Sequence, residues 1–259
     1  MNSSVKRKDY IRNIYSKQWS SKRKEYGIVE FDKELIQKIS TKKKGKILEV
    51  GIGDGFPYSS KLDEMEFEVY GIDLSARHVD MVKKSLPNIH VKVGDSENLE
   101  FKDDMFDVVF CLRSTWYFPN LTKSISEMLR VRKHDGLVIF DIQNSKNPIH
   151  KNSVKESQRI QNENILKHIL IKYLKNIIKI LLRPFKFYYT DWSLKKPIDI
   201  VTPTNPYIVD NFLKNRDNIK FRIYGVDWDS TPSLKEIKKP ENYNQFDRLV
   251  YEIINKDSK

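Results

Sequence analysis

Residues 46–55 read Lys46-Ile47-Leu48-Glu49-Val50-Gly51-Ile52-Gly53-Asp54-Gly55, a short apolar run that ends on three glycines spaced two apart. The run from Lys46 to Val50 predicts a buried strand, and the residues from Phe56 to Met65 have helical character. Glycines directly after a strand and opening a helix let the backbone turn sharply and approach a ligand closely. A tight strand-to-helix turn by itself would need one glycine or two, not three in register. The G-x-G-x-x-G spacing of dinucleotide-binding turns is absent.

The same alternation continues outward from this turn. Glu68 to Asp73 predicts a second strand, and Ser75 is placed to cap a helix running through Leu86. A third strand is expected at Ile89 to Val93. The fourth, Phe106 to Cys111 (FDVVFC), is almost unbroken in its apolar character, as a central parallel strand covered on both faces should be. Leu121 to Arg130 predicts a helix with Ile125, Met128 and Leu129 on one side. His134-Asp135-Gly136 makes a turn before a fifth strand, Leu137 to Ile142. Alternating strands and helices argue for an α/β fold, a Rossmann-like doubly wound parallel sheet whose strands present their carboxyl ends, and so their ligands, at one edge.

The pattern resumes at Thr204-Asn205-Pro206, an N-cap and N1 proline for a helix through Lys214. Two final strands are expected at Ile219 to Gly225 and Arg248 to Ile254. The chain thus divides into an N-terminal arm with lid helices (1–45), a core (46–144), a helical and aromatic insertion after strand five (145–203), and a C-terminal part of the sheet (204–259).

Composition bounds the function only loosely. The chain has 259 residues, 39% of them hydrophobic, which is enough for a sizeable core. Its single cysteine, Cys111, excludes an intramolecular disulfide framework and fits a cytoplasmic location. No signal-peptide pattern opens the sequence, and no apolar run is long enough for a spanning helix. The net charge of +12 favours anionic partners, but a Lys-rich composition can also leave a merely basic surface.

Two further acidic positions matter. Asp73 ends the second strand in Gly71-Ile72-Asp73-Leu74-Ser75, where a carboxylate can accept both hydroxyls of a ribose or simply cap the next helix. Gly94-Asp95-Ser96-Glu97-Asn98-Leu99 follows the third strand and, alone, reads as a surface turn. Together with the glycine turn, FDVVF and the Asp135-Gly136-Leu137-Val138-Ile139-Phe140 strand, these residues resemble the class I S-adenosylmethionine-dependent methyltransferases, particularly the small-molecule branch called type 11. The resemblance covers about Lys46 to Asn144. It implies a seven-stranded, mostly parallel sheet with an antiparallel last strand, and S-adenosylmethionine as cofactor. It further implies that Glu49, Gly51, Gly53 and Gly55 form the turn around the methionine and ribose. Asp73 would take the ribose hydroxyls, Leu74 would lie beside the adenine, and Asp95 with Ser96 would meet the adenine amine.

The residues after the fourth strand, Arg113-Ser114-Thr115-Trp116-Tyr117-Phe118-Pro119, face the methyl acceptor in this scheme. Many type 11 relatives carry a histidine pair here, and Trp116 and Tyr117 replace it. Tyr117 and Arg113 are the candidate catalytic residues, with Arg113 able to pair with an anionic acceptor. Trp116 either lines the acceptor pocket or packs under the loop. His134 and His150 read as surface residues, no cluster has metal-binding spacing, and Cys111 reads as a core thiol.

Within the insertion, Leu166, Ile169, Leu170, Tyr173, Leu174, Ile177, Ile178 and Leu181 recur at helical spacing, with Lys167, Lys172, Lys175, Lys179 and Arg183 largely on other faces. Such a basic amphipathic stretch, 165–183, meets a core, a homo-oligomer partner or the anionic inner face of a membrane. Tyr188, Tyr189 and Trp192 follow as acceptor-pocket candidates, and Tyr10, Tyr15 and Trp19 resemble the family's N-terminal lid. The expected activity is O-methylation of a small molecule or of a glycan in bacterial polysaccharide biosynthesis. Nucleic-acid methylation is disfavoured, because no N/D-P-P-Y motif follows strand four and no RNA-binding module is attached. A non-catalytic cofactor-binding partner is the third reading.

Overall fold

The computed structural model describes residues 8–9, 11–12, 27–41, 45–150, 203–227 and 232–256. The glycine-terminated run forms β1 (Lys46–Val50), all but its first residue buried. β2 (Glu68–Asp73), β3 (His90–Val93), β4 (Phe106–Cys111) and β5 (Arg132–Gln143) follow in parallel pairings. β6 (Ile219–Asp227), β7 (Ser233–Glu236) and β8 (Arg248–Asn255) complete a sheet in the order β3-β2-β1-β4-β5-β8-β6-β7. β8 runs antiparallel to both β5 and β6.

Five helices among the described residues cover the sheet: α1 (Glu30–Ile39), α2 (Tyr58–Glu64), α3 (Ala76–Ser85), α4 (Leu121–Val131) and α5 (Pro206–Lys214). Ser75 and Asn205 cap α3 and α5 as their side chains predict, and Asn120 caps α4. Phe31, Leu35 and Ile39 of α1 pack with Leu62 and Val82 against one face of the sheet. Ile125, Met128, Val209 and Leu213 of α4 and α5 pack on the other. Each such side chain, fully buried, contributes about 1.5–3 kcal/mol. β4 lies between the layers and supplies both, which explains why its sequence lacks a polar face.

Three details differ from the sequence-based expectation. β5 starts at Arg132, because the His134-Asp135-Gly136 turn is an irregularity within the strand: Phe106 pairs with Arg132, but Val108 pairs with Leu137. An eighth strand, β7, pairs antiparallel with β6, and its Leu234 N–H reaches Glu34 Oε2 of α1 at 3.0 Å. Its four residues, Ser-Leu-Lys-Glu, are too polar to announce a strand; pairing with β6 makes it one. The α2 helix is shorter than expected, because Phe56 and Pro57 belong to the turn before it.

After β5, Asn144 and Thr204 form a bridge, with Thr204 N–H donating to Gln143 O at 2.8 Å and Ser145 N–H to Thr204 O at 3.0 Å. Asn144 is fully buried, and its amide donates to the Tyr243 and Phe246 carbonyls at 2.6 and 2.8 Å. Nearby, the buried Asp210 of α5 accepts from the Tyr243 and Tyr251 hydroxyls at 2.8 and 2.9 Å. These bonds satisfy the polar groups that this junction would otherwise bury unpaired. The stretch 165–183 and Tyr188, Tyr189 and Trp192 lie outside the described residues, as do Tyr10, Tyr15 and Trp19.

The strand order reverses at β1. β2 and β3 extend to one side and β4 and β5 to the other, so the crevice at the carboxyl ends of β1 and β4 is the switch point where open α/β sheets bind ligands.

Candidate functional site

At this switch point lies a cavity of about 350 Å³. Its first wall is the glycine turn, held to the end of β2 by Gly51 and Ile52 N–H bonds to Ile72 O at 2.8 and 3.0 Å. Gly51 has φ +80°, and a Cβ there would lie 2.6 Å from Ser114 Oγ, which itself donates to Gly51 O at 3.0 Å. The turn and the loop after β4 therefore touch across the crevice, and only glycine permits it. Gly55, at φ +78°, answers a different need. A Cβ would meet Leu86 Cδ1 at 2.7 Å, so Gly55 serves packing against the α3 segment and does not line the cavity.

The second wall is Asp73. Its Oδ2 accepts the Gly53 N–H at 3.0 Å and its Oδ1 the Ser75 N–H at 2.8 Å, while His78 Nδ1 lies 3.2 Å from Oδ1. The third is the turn after β3. Asp95 Oδ1 accepts the Glu97 N–H at 3.0 Å, and Ser96 Oγ meets Ser124 Oγ of α4 at 2.9 Å. Two residues of α4 brace the same turn: Glu127 accepts the Leu99 N–H at 2.8 Å and Arg130 donates to the Leu99 and Phe101 carbonyls at 2.7 and 2.9 Å. The Arg130 hydrogen bond holds the Glu127 carboxyl below its ordinary value, against the effect of burial. From the N-terminal arm, Lys8 Nζ reaches Asp95 Oδ2 at 2.6 Å and Glu97 Oε2 at 3.0 Å. Burial alone would lower the Lys8 ammonium, but these two carboxylates outweigh it and raise it.

The fourth wall is the loop after β4. Arg113 adopts φ +60°, a costly backbone for a residue with a side chain, and its N–H donates to Asp141 Oδ1 at 2.7 Å. Its guanidinium donates to Asp32 Oδ1 at 3.1 Å, which also accepts the Tyr58 hydroxyl at 2.8 Å. Asp32 and Asp141 are fully buried. Arg248 Nε lies 3.5 Å from Asp141 Oδ2, and its guanidinium sits 5.2 Å from the Trp116 ring. Two buried carboxylates and two guanidiniums thus anchor the loop, each charge matched by its opposite.

Of the expected site residues, Glu49, Gly51, Gly53, Asp73, Leu74, Asp95, Ser96, Arg113 and Tyr117 line this single cavity. Trp116, at 6% exposure, packs under Arg248 and is not among them. Cys111 is fully buried, and burial, with the carboxylates of Asp141, Glu49 and Asp73, pushes its thiol well above the ordinary value, so it stays protonated. Among the described residues no His, Cys, Asp or Glu cluster could hold a metal.

Residues 48–140 match the family described as a methyltransferase domain, Methyltransf_11. The chain carries a class I methyltransferase domain. It is 24% identical over 133 residues to an uncharacterized methyltransferase of Bacillus subtilis, YcgJ, a match covering 49% of this chain and 52% of that protein. It is 32% identical over 94 residues to the phthiotriol/phenolphthiotriol dimycocerosates methyltransferase of Mycobacterium tuberculosis, covering 35% of each. The chain thus spans about half or less of these relatives' lengths. A solved S-adenosylmethionine-dependent methyltransferase of Thermotoga maritima superposes with TM-score 0.55, at 13% identity, over 85% of this chain and 86% of that one, a likeness of fold.

Family and fold imply S-adenosylmethionine as the methyltransferase domain's cofactor. The residues present fit it. The cavity is of the size that small ligands occupy. At Gly53 a Cβ would meet nothing within 4 Å, so the turn leaves open space, and carboxylates stand at both the β2 and β3 ends. Glu49, 4% exposed, accepts the Ser59 hydroxyl at 2.5 Å and also lines the cavity.

Sequence reading missed four cavity or support residues: Lys8, Asp32, Tyr58 and His78. His78 had a usable signal, since it stands three residues after the Ser75 cap and so on the first turn of α3, beside the strand end that Asp73 occupies. Lys8 and Asp32 had none, because their partners are 87 and 81 residues away.

Proposed function

We propose that the chain transfers a methyl group from S-adenosylmethionine to a hydroxyl of a small molecule or a bacterial glycan. The observation that carries this reading is the convergence of the glycine turn, Asp73 and Asp95, from three successive strand ends, on one cavity. In this reading Glu49, Gly51 and Gly53 surround the methionine and ribose part, Asp73 accepts the ribose hydroxyls, Leu74 flanks the adenine, and Asp95 with Ser96 meets its edge.

The bound cofactor supplies a methyl carbon on a sulfonium, with a good leaving group. What remains for the chain is to align the acceptor behind that carbon and exclude water, a contribution of proximity and orientation. In this reading Tyr117 of the loop after β4, which lines the cavity, orients an acceptor hydroxyl and receives a hydrogen bond from it. Arg113, tied to Asp32, keeps the loop in the conformation that presents Tyr117. Residues 46–144 act as the cofactor-binding unit, 204–259 complete the sheet, 1–45 cover the cofactor and 145–203 cover the acceptor. The names of the Mycobacterium relatives support an acceptor carried on a lipid as the variant to test first.

Titration calorimetry with S-adenosylhomocysteine tests the central claim. Wild type should bind and Asp73→Ala should bind about 100-fold more weakly, the equivalent of about 2.7 kcal/mol. Absence of binding by wild type overturns the reading. Transfer of a radiolabelled methyl group to hydroxyl-bearing glycans, free or lipid-linked, then identifies the acceptor class.

A further inference from the structure

Two adjacent serines stand on the first turn of α2, and their hydroxyls go to different places. Ser60 Oγ donates locally, to Pro57 O at 3.0 Å. Ser59, fully buried, turns inward and donates to Glu49 Oε2 of β1 at 2.5 Å. Glu49 stands between Gly71 of β2 and Phe110 of β4 in the sheet, and its side chain lines the cavity. The start of α2 rests on the glycine turn, through Ser60 N–H to Gly55 O and Gly55 N–H to Ile52 O, both at 2.9 Å. The turn therefore fixes α2, and α2 fixes Ser59 against the Glu49 carboxylate.

We infer that Ser59 is a positioning residue, which aims the Glu49 carboxylate at the cationic methionine end of the cofactor. A glutamate side chain has much rotamer freedom to lose when it is ordered. A donor held by a helix selects the rotamer in advance, so the ligand does not have to order it. Holding one oxygen also sets the plane of the carboxylate, and with it the directions in which the group accepts hydrogen bonds. The methionine end of S-adenosylmethionine carries two positive groups, the sulfonium and the α-ammonium. Only the ammonium donates hydrogen bonds, and a charge-assisted bond to a carboxylate is the stronger kind. Ser59 itself does not line the cavity and acts through Glu49.

This inference rests on S-adenosylmethionine being the cofactor, and the test separates the two. Calorimetry compares S-adenosylhomocysteine, which keeps the ammonium, with 5′-methylthioadenosine, which keeps the nucleoside and sulfur but lacks the amino-acid end. The proteins are wild type, Ser59→Ala, Glu49→Gln and the double variant. Ser59→Ala should bind S-adenosylhomocysteine about tenfold more weakly, the scale of one hydrogen bond to a charged group. Glu49→Gln should lose at least as much. The double variant should lose no more than Glu49→Gln alone, within about twofold, because no charge is left to aim. Towards 5′-methylthioadenosine all four proteins should bind alike. A role for Ser59 in folding alone would predict equal losses for both ligands, and that result overturns the inference. Additive losses in the double variant overturn it too, and they decide the matter on S-adenosylhomocysteine alone if 5′-methylthioadenosine binds too weakly to measure. Failure of wild type to bind S-adenosylhomocysteine overturns the proposed function and this inference with it, whereas wild-type affinity in Ser59→Ala overturns this inference only. If Ser59→Ala does not fold, Glu49→Gln compared across the two ligands still decides: a weakening for both alike rejects the aim at the amino-acid end.

Discussion

On one side of the cavity, the ends of β1, β2 and β3 present turns whose backbone N–H groups fix short acidic side chains: Gly53 and Ser75 on Asp73, Glu97 on Asp95. On the other side, the loop after β4 is held by side chains from distant elements, Asp32 of α1, Asp141 of β5 and Arg248 of β8. The first construction is local and depends on backbone. The second is assembled by the tertiary fold and depends on buried charge. A cofactor shared by a whole family suits the first kind of wall. An acceptor particular to one chain suits the second, since replacing one side chain in a charge network re-aims a loop without disturbing the sheet.

Four experiments can break or sharpen this contrast, in order of expected effect. Gly51→Val should be the most damaging. It combines φ +80° with a Cβ 2.6 Å from Ser114 Oγ, and should abolish S-adenosylhomocysteine binding in calorimetry while also lowering the melting temperature. Asp141→Asn leaves the Arg113 and Arg248 groups facing a neutral side chain in a buried site. A destabilisation of about 3–5 kcal/mol in urea unfolding is expected. Methyl transfer should fall much further than S-adenosylhomocysteine affinity, and equal losses would show that the two walls are not separable.

The third experiment concerns acid. The Glu127 carboxyl is depressed in the folded state, chiefly by Arg130, so its contribution is present above its ordinary value near 4.5 and is lost as pH falls through the folded value. Thermal melts of wild type should therefore lose stability below about pH 4.5 more steeply than those of Glu127→Gln. A matching slope in both proteins would remove Glu127 from the bracing of the turn after β3. Lys8→Ala should have the smallest effect, since partly exposed ion pairs contribute at most about 1 kcal/mol. Stopped-flow release of S-adenosylhomocysteine should quicken by about threefold and lose part of its salt dependence.

The same contrast explains what could be read from the sequence. The glycine turn, Asp73, Asp95 and the apolar β4 were legible because each is contiguous and its chemistry is written within a few residues. The bond from Arg113 to Asp32 was not, because nothing in the helix EFDKELIQKI distinguishes Asp32 from a solvated acid in the first turn. Trp116 carried two readings, and only its place under Arg248 separates them. β7 was invisible because its strand character comes from β6. His78 was accessible to helix geometry but not to motif, since histidine at a first-turn position ordinarily means nothing.

The bridge between Asn144 and Thr204 has a consequence for how such a chain can diversify. Closing a longer loop between fixed ends costs only about 0.6 kcal/mol for each doubling of its length. With exit and return joined by two hydrogen bonds and the buried Asn144 amide, the sheet is nearly indifferent to how long the intervening excursion is. The position behaves as a socket. Swapping the stretch between 145 and 203 for that of a relative, or for a short glycine-serine link, should leave the sheet folded, and methyl transfer by such chimaeras would test whether that stretch bears on acceptor choice.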